Sequence, residues 1–358
     1  MFKSSYYIFT FETIKETFIL DVQNHFKTQT LLSLNQLYKL KNDKAQLIIF
    51  DEGEPNNFYH FNKKFPKLLD DIPSQNVVIV STNLFYTLNP NSLQKDCPYK
   101  VFYFNHYFKV MIDRHTPDKK FFKIKKHYTC LSGTDKYFRR YFYYLLKTND
   151  LVPYGFVSHN RIKKPTEAGD TYFDNKIKDL ISAFDAYNHI SKEKLILDVS
   201  HSQEELEQFT DNWNKIAYKN SNFSKHTGIE VVLESSIKGC NFISEKTIKA
   251  VLNKNIFLLV GGYQTLAFLR KLGFKTFDHI FDESYDNIRC DFTRVNSTFA
   301  QLKKFCTLSL DEVEKIKNDN QELLDYNYNH LLYNLDTTFN LKNKVESYLN
   351  KGENYGRN

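Results

Sequence analysis

Between Gly228 and Asp286 polar residues recur where an apolar pattern changes period. Glu234 and Ser235 follow the apolar run Ile229 to Leu233, and Ser244, Glu245 and Lys246 precede a helical pattern carried by Ile248, Val251 and Leu252. The segment therefore reads strand, helix, strand, helix, strand, with its polar residues where the C-terminal ends of parallel strands meet helix N-termini. That edge of an open α/β sheet takes nucleotides and phosphates. Glu234 has two readings. A carboxylate leaving a strand end accepts hydrogen bonds from ribose or sugar hydroxyls, or it caps the loop that follows. Ser244 is an N-cap residue, which places Lys246 in the first turn, where the helix dipole disfavours a cation. Either an anion such as a diphosphate lies in front of Lys246, or the lysine is solvated and paired with Glu245. Gly261 and Gly262, after the next strand at Phe257 to Val260, permit a close approach to a ligand or a tight turn. Asp282, Glu283 and Asp286 offer a weak metal reading against a helix-capping one, and no metal site is assigned.

These residues need a scaffold, and the remaining sequence supplies one. With 358 residues the chain exceeds one ordinary core, and two domains are expected. Apolar runs at Gln46 to Phe50, Gln75 to Thr82 and Tyr99 to Phe104, with a strand at Tyr6 to Thr10 and helical periodicity, broken once, from Ile14 to Lys41, spell an α/β domain over 1–115. The polar stretch Asp113 to Lys120 is the expected linker. A second domain over 121–308 opens with a strand at Phe121 to Leu131 and a helix at Lys136 to Lys147. It continues with strands at Gly155 to Ser158 and Leu195 to Val199, a helix near Glu204 to Tyr218, and a short strand at Phe274 to Phe277. Leu266, Leu269 and Leu272 mark a helix that Gly273 ends in the C′ position. Residues 309–350 read as helices that pack back on the first domain. The expected class is α/β, with two Rossmann-like, doubly wound domains facing a cleft.

Composition narrows the classes. The chain is 41% hydrophobic and 25% charged, as ordinary globular proteins are, with 32 Phe and 24 Tyr. A net charge of +7 favours anionic ligands without a long block of like charge that would mark a nucleic-acid-binding arm. Lys119 to His127 reads as a strand with one solvated face. The five cysteines, Cys97, Cys130, Cys240, Cys290 and Cys306, form no CxxC pair and point to reduced thiols and a cytoplasmic protein. No run approaches the ~20 apolar residues that span a bilayer, and the N-terminus is a poor signal peptide. The histidines show no HxxxH or HExxH spacing for zinc.

Glu234-Ser235-Ser236 followed by Phe242-Ile243-Ser244-Glu245-Lys246 resembles the donor-binding segment of α-1,3-fucosyltransferases, a strand ending in E-N-S, a spacer, and a Y-V-T-E-K helix start. The longer string from Ser244 to Asp286 is similar to phage, giant-virus and bacterial glycosyltransferase-like proteins related to them. In these, a C-L-N and H-R pattern matches Cys130 to Arg139, with Ser132 in place of Asn. The resemblance covers roughly residues 120 to 290. It implies a GT-B-type, metal-independent hexosyltransferase or fucosyltransferase whose donor is a nucleotide-diphosphate sugar, with a GDP-sugar suggested; inversion at the anomeric carbon follows if one base acts and no covalent intermediate forms. It places Arg139 on the phosphates, Glu234 on the ribose, and Glu245 and Lys246 on the donor sugar and diphosphate, with Ser235, Phe242, Ser244, Gly261 and Gly262 completing the donor site. The acceptor is expected to be a glycan hydroxyl, and its base to come from the first domain: Asp51 or Glu52 in the acidic loop that also holds Glu54, with His106 and His60 next. No cofactor beyond the donor is implied. Two other readings stand beside this one: a viral DNA-modifying glycosyltransferase working in host cytoplasm, and a non-catalytic nucleotide- or glycan-binding protein.

Overall fold

The computed structural model describes residues 15–21, 34–42, 44–51, 72–81, 99–103, 123–132, 136–159, 221–237, 242–334 and 339–351, with single positions at 108, 111, 112 and 115. The chain divides into two compact units, residues 1–113 with 239–242 and 333–358, and residues 114–238 with 243–332. The expected strands at Tyr6 to Thr10 and Leu195 to Val199 and the helix near Glu204 to Tyr218 lie outside the described residues, as do Cys97 and Cys240.

The first unit holds a parallel sheet in the order β1-β2-β3-β4: β1 Glu16–Asp21, β2 Ala45–Asp51, β3 Val77–Ser81 and β4 Lys100–Tyr103. Helix α1, Leu34–Lys41, precedes β2. The continuous apolar runs of β2 and β3 are fully buried, as strands covered on both faces must be. One covering element is a C-terminal helix, Phe339–Lys351, which carries Leu341, Val345 and Leu349 at four-residue spacing onto Ile48, Phe50, Val78 and Val80. The Gln46 amide donates to the Leu349 carbonyl at 2.8 Å and joins helix to strand. Strand β1 corrects the first part of the helical reading of Ile14 to Lys41, whose last part is α1. Thr17, Phe18 and Ile19 are β-branched or aromatic, and the pairing of Phe18 with Leu47 and Ile19 with Ile48 outweighs the helical spacing.

The second unit holds the parallel sheet β6-β5-β7-β8, built from β5 Lys126–Ser132, β6 Gly155–His159, β7 Thr227–Leu233 and β8 Ile256–Val260. Its helices are α2 Tyr137–Thr148, α3 Ser221–Lys225, α4 Glu245–Leu252, α5 Thr265–Lys271, α6 Asp291–Phe305, α7 Leu310–Asp319 and α8 Gln321–Asn329. The C-terminal helix Phe339–Lys351 thus becomes α9. The expected strand at Phe274 to Phe277 is irregular. Asn327 takes the place of a neighbouring strand there: its amide oxygen accepts the Lys275 N–H and its NH₂ donates to the Lys275 carbonyl, both at 2.8 Å. The Glu283 carboxylate accepts the Phe277 N–H at 2.8 Å. Helices α7 and α8 belong to this unit, and among the described tail elements α9 alone packs on the first sheet. The expectation for 309–350 is corrected accordingly. The cause is sequence-local: Val313 of α7 is fully buried and Lys317 donates to the Thr227 carbonyl of β7.

The α/β class with two parallel, Rossmann-like sheets, one in each unit, is what the structure has. Among the described residues no helix is long and apolar enough to cross a membrane. Cys130, Cys290 and Cys306 are free thiols, and burial pushes Cys130 and Cys306 up to about 12.

Candidate functional site

In the second sheet the chain passes from β5 outward to β6 and then returns to the other side of β5 to lay down β7. The order reverses between β5 and β7, and the crevice outside the carboxyl ends of such neighbours is where open α/β sheets bind ligands. Arg139, Glu234, Ser235, Ser244, Glu245 and Lys246 all belong to the elements that border this point.

The loop after β7 is built on Glu234. Its side chain is fully buried. Both carboxylate oxygens accept the Ser244 N–H at 3.1 Å, one accepts the Ser235 N–H at 3.1 Å, and the Thr247 hydroxyl donates to the other. Burial pushes its pKa up, and the Lys246 charge with the Ser244 and Thr247 bonds pulls it back in part. Of its two readings, the structure gives the loop cap. A carboxylate with no exposed surface and its acceptor positions taken by three donors has none left for a ribose hydroxyl.

Arg139 is likewise internal. It stands in the first turn of α2 with 1% of its surface exposed, and its Nη2 donates to the carbonyls of Leu233 at 3.1 Å and Glu234 at 2.7 Å. These carbonyls end β7 at the point where its neighbour's ladder stops, so the guanidinium closes the strand end. That geometry replaces the expected contact with phosphates by a positioning one. Phe242 is fully buried. Gly261 makes a close approach, but to its own chain: an added Cβ would lie 3.2 Å from the Thr265 hydroxyl. The Gly262 carbonyl accepts that hydroxyl at 2.8 Å.

The groups that reach solvent are Glu245 and Lys246, each with 27% of its side chain exposed. Ser244 caps α4 as expected, its hydroxyl accepting the Lys246 N–H at 3.2 Å. The Lys246 ammonium donates to Glu245 Oε1 at 2.6 Å and to Ser235 Oγ at 3.1 Å, with Ser244 Oγ at 3.5 Å. Burial alone would raise the Glu245 pKa. Attraction and a hydrogen bond from Lys246, with the more distant Arg139, outweigh it and hold the carboxyl below its usual value. The site thus gathers an amine, a hydroxyl and a carboxyl held on its charged side in one cluster beside a helix N-terminus. Such a cluster can take a phosphate oxygen on Lys246 and Ser235 and a sugar hydroxyl on Glu245.

Asp51 closes β2 in the first unit, and Glu52, Glu54, His60 and His106 lie outside the described residues. The acids after α5 are structural. Asp282 caps the 3₁₀ turn Glu283–Asn287, Glu283 binds Arg270, Thr276 and the Phe277 N–H, and Asp286 accepts the Leu266 and Ala267 N–H groups at 3.0 and 2.9 Å. Among the described residues no group of three His, Cys, Asp or Glu side chains is placed to hold a metal ion.

Sequence reading missed Arg294. It is 2% exposed and donates from Nε to the Gly261 carbonyl at 3.0 Å, from Nη1 to Ile288 at 2.6 Å, and from Nη2 to Ile237 at 2.8 Å and Asp291 at 2.7 Å. One guanidinium thus ties the loops after β7 and β8 together. Its signal was an arginine at four-residue spacing from Thr298 and Leu302, on the inward stripe of α6.

No family model matches the chain, and no curated protein matches it. Among solved structures, T4 phage BGT in complex with UDP and Mn²⁺ matches with 8% sequence identity, over 94% of this chain and 83% of that chain, at a TM-score of 0.36.

Proposed function

We propose that the chain is a glycosyltransferase that takes a sugar from a nucleotide-diphosphate donor bound at the C-terminal edge of the second sheet. The observation that carries this reading is the Lys246 ammonium, held over Ser235 at 3.1 Å in the first turn of α4, beside the switch point. A helix dipole disfavours a cation there by a few tenths of a kcal/mol. The diphosphate of a donor makes the position favourable, because the departing nucleotide gains negative charge as the glycosidic bond breaks and a fixed cation stabilises it.

In this reading Glu245 accepts a hydroxyl of the donor sugar, and the Lys246 and Ser235 side chains hold the diphosphate. Glu234 and Arg139 position that pair from behind. Asp51 and Glu52 are the candidates for the base that takes the proton of the acceptor hydroxyl, and one displacement inverts the anomeric carbon. The resemblance to α-1,3-fucosyltransferases supports a GDP-sugar, a glycan acceptor and a reaction that needs no metal. The net charge of +7 supports a second acceptor, DNA, for the same chemistry.

The test is a thermal-shift screen of the full chain against UDP, GDP, CMP and ADP with EDTA or Mn²⁺, followed by turnover of the matching sugar nucleotide. A ligand at 100 times its Kd stabilises a protein by about 2.7 kcal/mol. The expected result is one nucleotide raising Tm in EDTA, with slow donor hydrolysis that Glu245→Ala abolishes while the fold is kept. Binding without turnover in the wild type would leave a nucleotide-binding protein, and a flat screen would sink the donor site.

A further inference from the structure

We propose that Tyr263 and Arg289 form the nucleobase side of the donor site, a role that rests on the donor reading above. Lys246 and Ser235 fix the phosphate end in the loop after β7. Adjacent strands lie about 4.8 Å apart, and a nucleoside diphosphate is longer than one such step, so its nucleoside must extend along the sheet edge. Among the described residues the β6 end offers no free ring. His159 is 1% exposed and lies face to face on Tyr143, with centroids 4.4 Å apart and planes 9° apart.

The β8 end is different. Its strand runs into Gly261, Gly262, Tyr263 and Gln264 before α5. Tyr263 is half-buried, Arg289 is exposed, and the Arg289 guanidinium stands over the tyrosine ring at 5.1 Å. A planar base can lie against the flat guanidinium, whose edge N–H groups, which bond to none of the described residues, can meet the base or a phosphate oxygen.

The pair is held in place before any ligand arrives. Gln264 adopts φ +60, a left-handed backbone that a residue with a side chain rarely accepts, and its N–H donates to the Asp286 carbonyl at 2.8 Å. Buried Arg294 bonds the Gly261 carbonyl at 3.0 Å and the Arg289 carbonyl at 3.3 Å. The backbones that carry the two side chains are therefore fixed to one guanidinium, which also holds Ile237 of the loop leading to Lys246. Neither Tyr263 nor Arg289 contributes to the core, so this fixing acts on a surface pair.

Calorimetric titration of the full chain with UDP, GDP and inorganic pyrophosphate tests the assignment. Tyr263→Leu and Arg289→Ala should each weaken the preferred nucleotide by about tenfold, the size of one lost stacking contact. Both should leave pyrophosphate binding unchanged, whereas Lys246→Ala weakens both ligands. In turnover the two variants should raise the KM for the donor at constant kcat. Nucleotide affinity unchanged in both variants, or pyrophosphate affinity falling in parallel, would overturn the assignment with the donor site intact. A wild type that binds neither nucleotide nor pyrophosphate would remove the donor site itself. Arg289 is exposed and its side chain holds no hydrogen bond to the core among the described residues, so Arg289→Ala with unchanged Tm separates loss of binding from loss of fold.

Discussion

Both oxygens of the Glu234 carboxylate accept the backbone N–H of Ser244, at 3.1 Å each, across ten residues of chain. This fork fixes the N-terminus of α4 against the end of β7, and with it the direction in which Lys246 leaves the helix. The strand end and the helix start are thereby joined directly, side chain to backbone.

Glu234→Ala should therefore destabilise the fold. It leaves the Ser235 and Ser244 N–H groups and the Thr247 hydroxyl buried without their acceptor, at a cost of roughly 3 kcal/mol or more. Glu234→Gln keeps one acceptor oxygen and should cost less, about 1–2 kcal/mol. Urea unfolding reads both. The pH dependence has a defined sign. Burial raises the folded pKa above the ordinary 4.5, so the stabilisation is complete below pH 4.5 and is lost as pH rises through the folded value. Glu234→Gln should remove that part of the slope. A variant as stable as the wild type, with the same pH profile, would show that the carboxylate does not clamp the loop.

Arg139→Met tests whether the buried guanidinium is structural. Methionine fills similar space but leaves the Leu233 and Glu234 carbonyls without their donor. The expected loss is roughly 2–4 kcal/mol in urea unfolding without ligand. An arginine kept for phosphates would give the opposite pattern, with unchanged stability and lost nucleotide affinity.

The elements that follow from local pattern were legible in the sequence. Apolar runs marked β2, β3, β7 and β8 because parallel strands are buried on both faces. Ser244 marked the start of α4, and Gly273 the end of α5, where its φ of +93 is one that glycine alone accepts freely. What depends on a distant neighbour was not legible. Strand β1 exists because β2 pairs with it, and the segment from Phe274 to Phe277 stays irregular because Asn327, 52 residues from Lys275, takes its hydrogen bonds. The same holds within the site. Glu234 and Arg139 were identified as a carboxylate and a cation at the right edge. Whether each faces a ligand or the interior is decided by Thr247, Ser244 and the β7 carbonyls, and no spacing rule states that choice. The Glu245 and Lys246 side chains reach solvent because they stand at the start of a helix whose buried face begins at Thr247 and Ile248.

Lys246→Ala separates binding from stability. Its ion pair with Glu245 is partly exposed, and such pairs contribute below about 1 kcal/mol. Unfolding should therefore change little while nucleotide affinity falls by roughly tenfold or more, the value of a charge-assisted contact. The Glu245 carboxyl should respond as well. Its folded pKa is held below 4.5, so it contributes stability above pH 4.5 that is lost as pH falls through the folded value. Without Lys246 that pKa should rise, since burial remains and the balancing charge is gone. Carboxyl titration by NMR in the two proteins checks the shift, and an unmoved Glu245 would show that Lys246 is not its partner in solution.

Lys317 gives the alkaline counterpart. Its half-buried side chain bridges α7 and the start of β7, donating to the Thr227 carbonyl at 2.7 Å and to Asn255 at 3.0 Å. Burial lowers its pKa from 10.5 to about 8, with Glu230 opposing the shift. Between those values the unfolded chain binds more protons than the folded one, so stability should climb with pH across the window, by an amount on the order of 3 kcal/mol. Lys317→Met abolishes the titration and should remove this rise while keeping most of the packing. Other groups also titrate there, and burial raises Tyr128 and Tyr141 so that their stabilisation is lost above pH 10. The informative quantity is therefore the difference between wild type and variant in urea unfolding from pH 7 to 10.5. If that difference does not change with pH, Lys317 titrates normally and α7 is held to the sheet by its apolar contacts, centred on Val313.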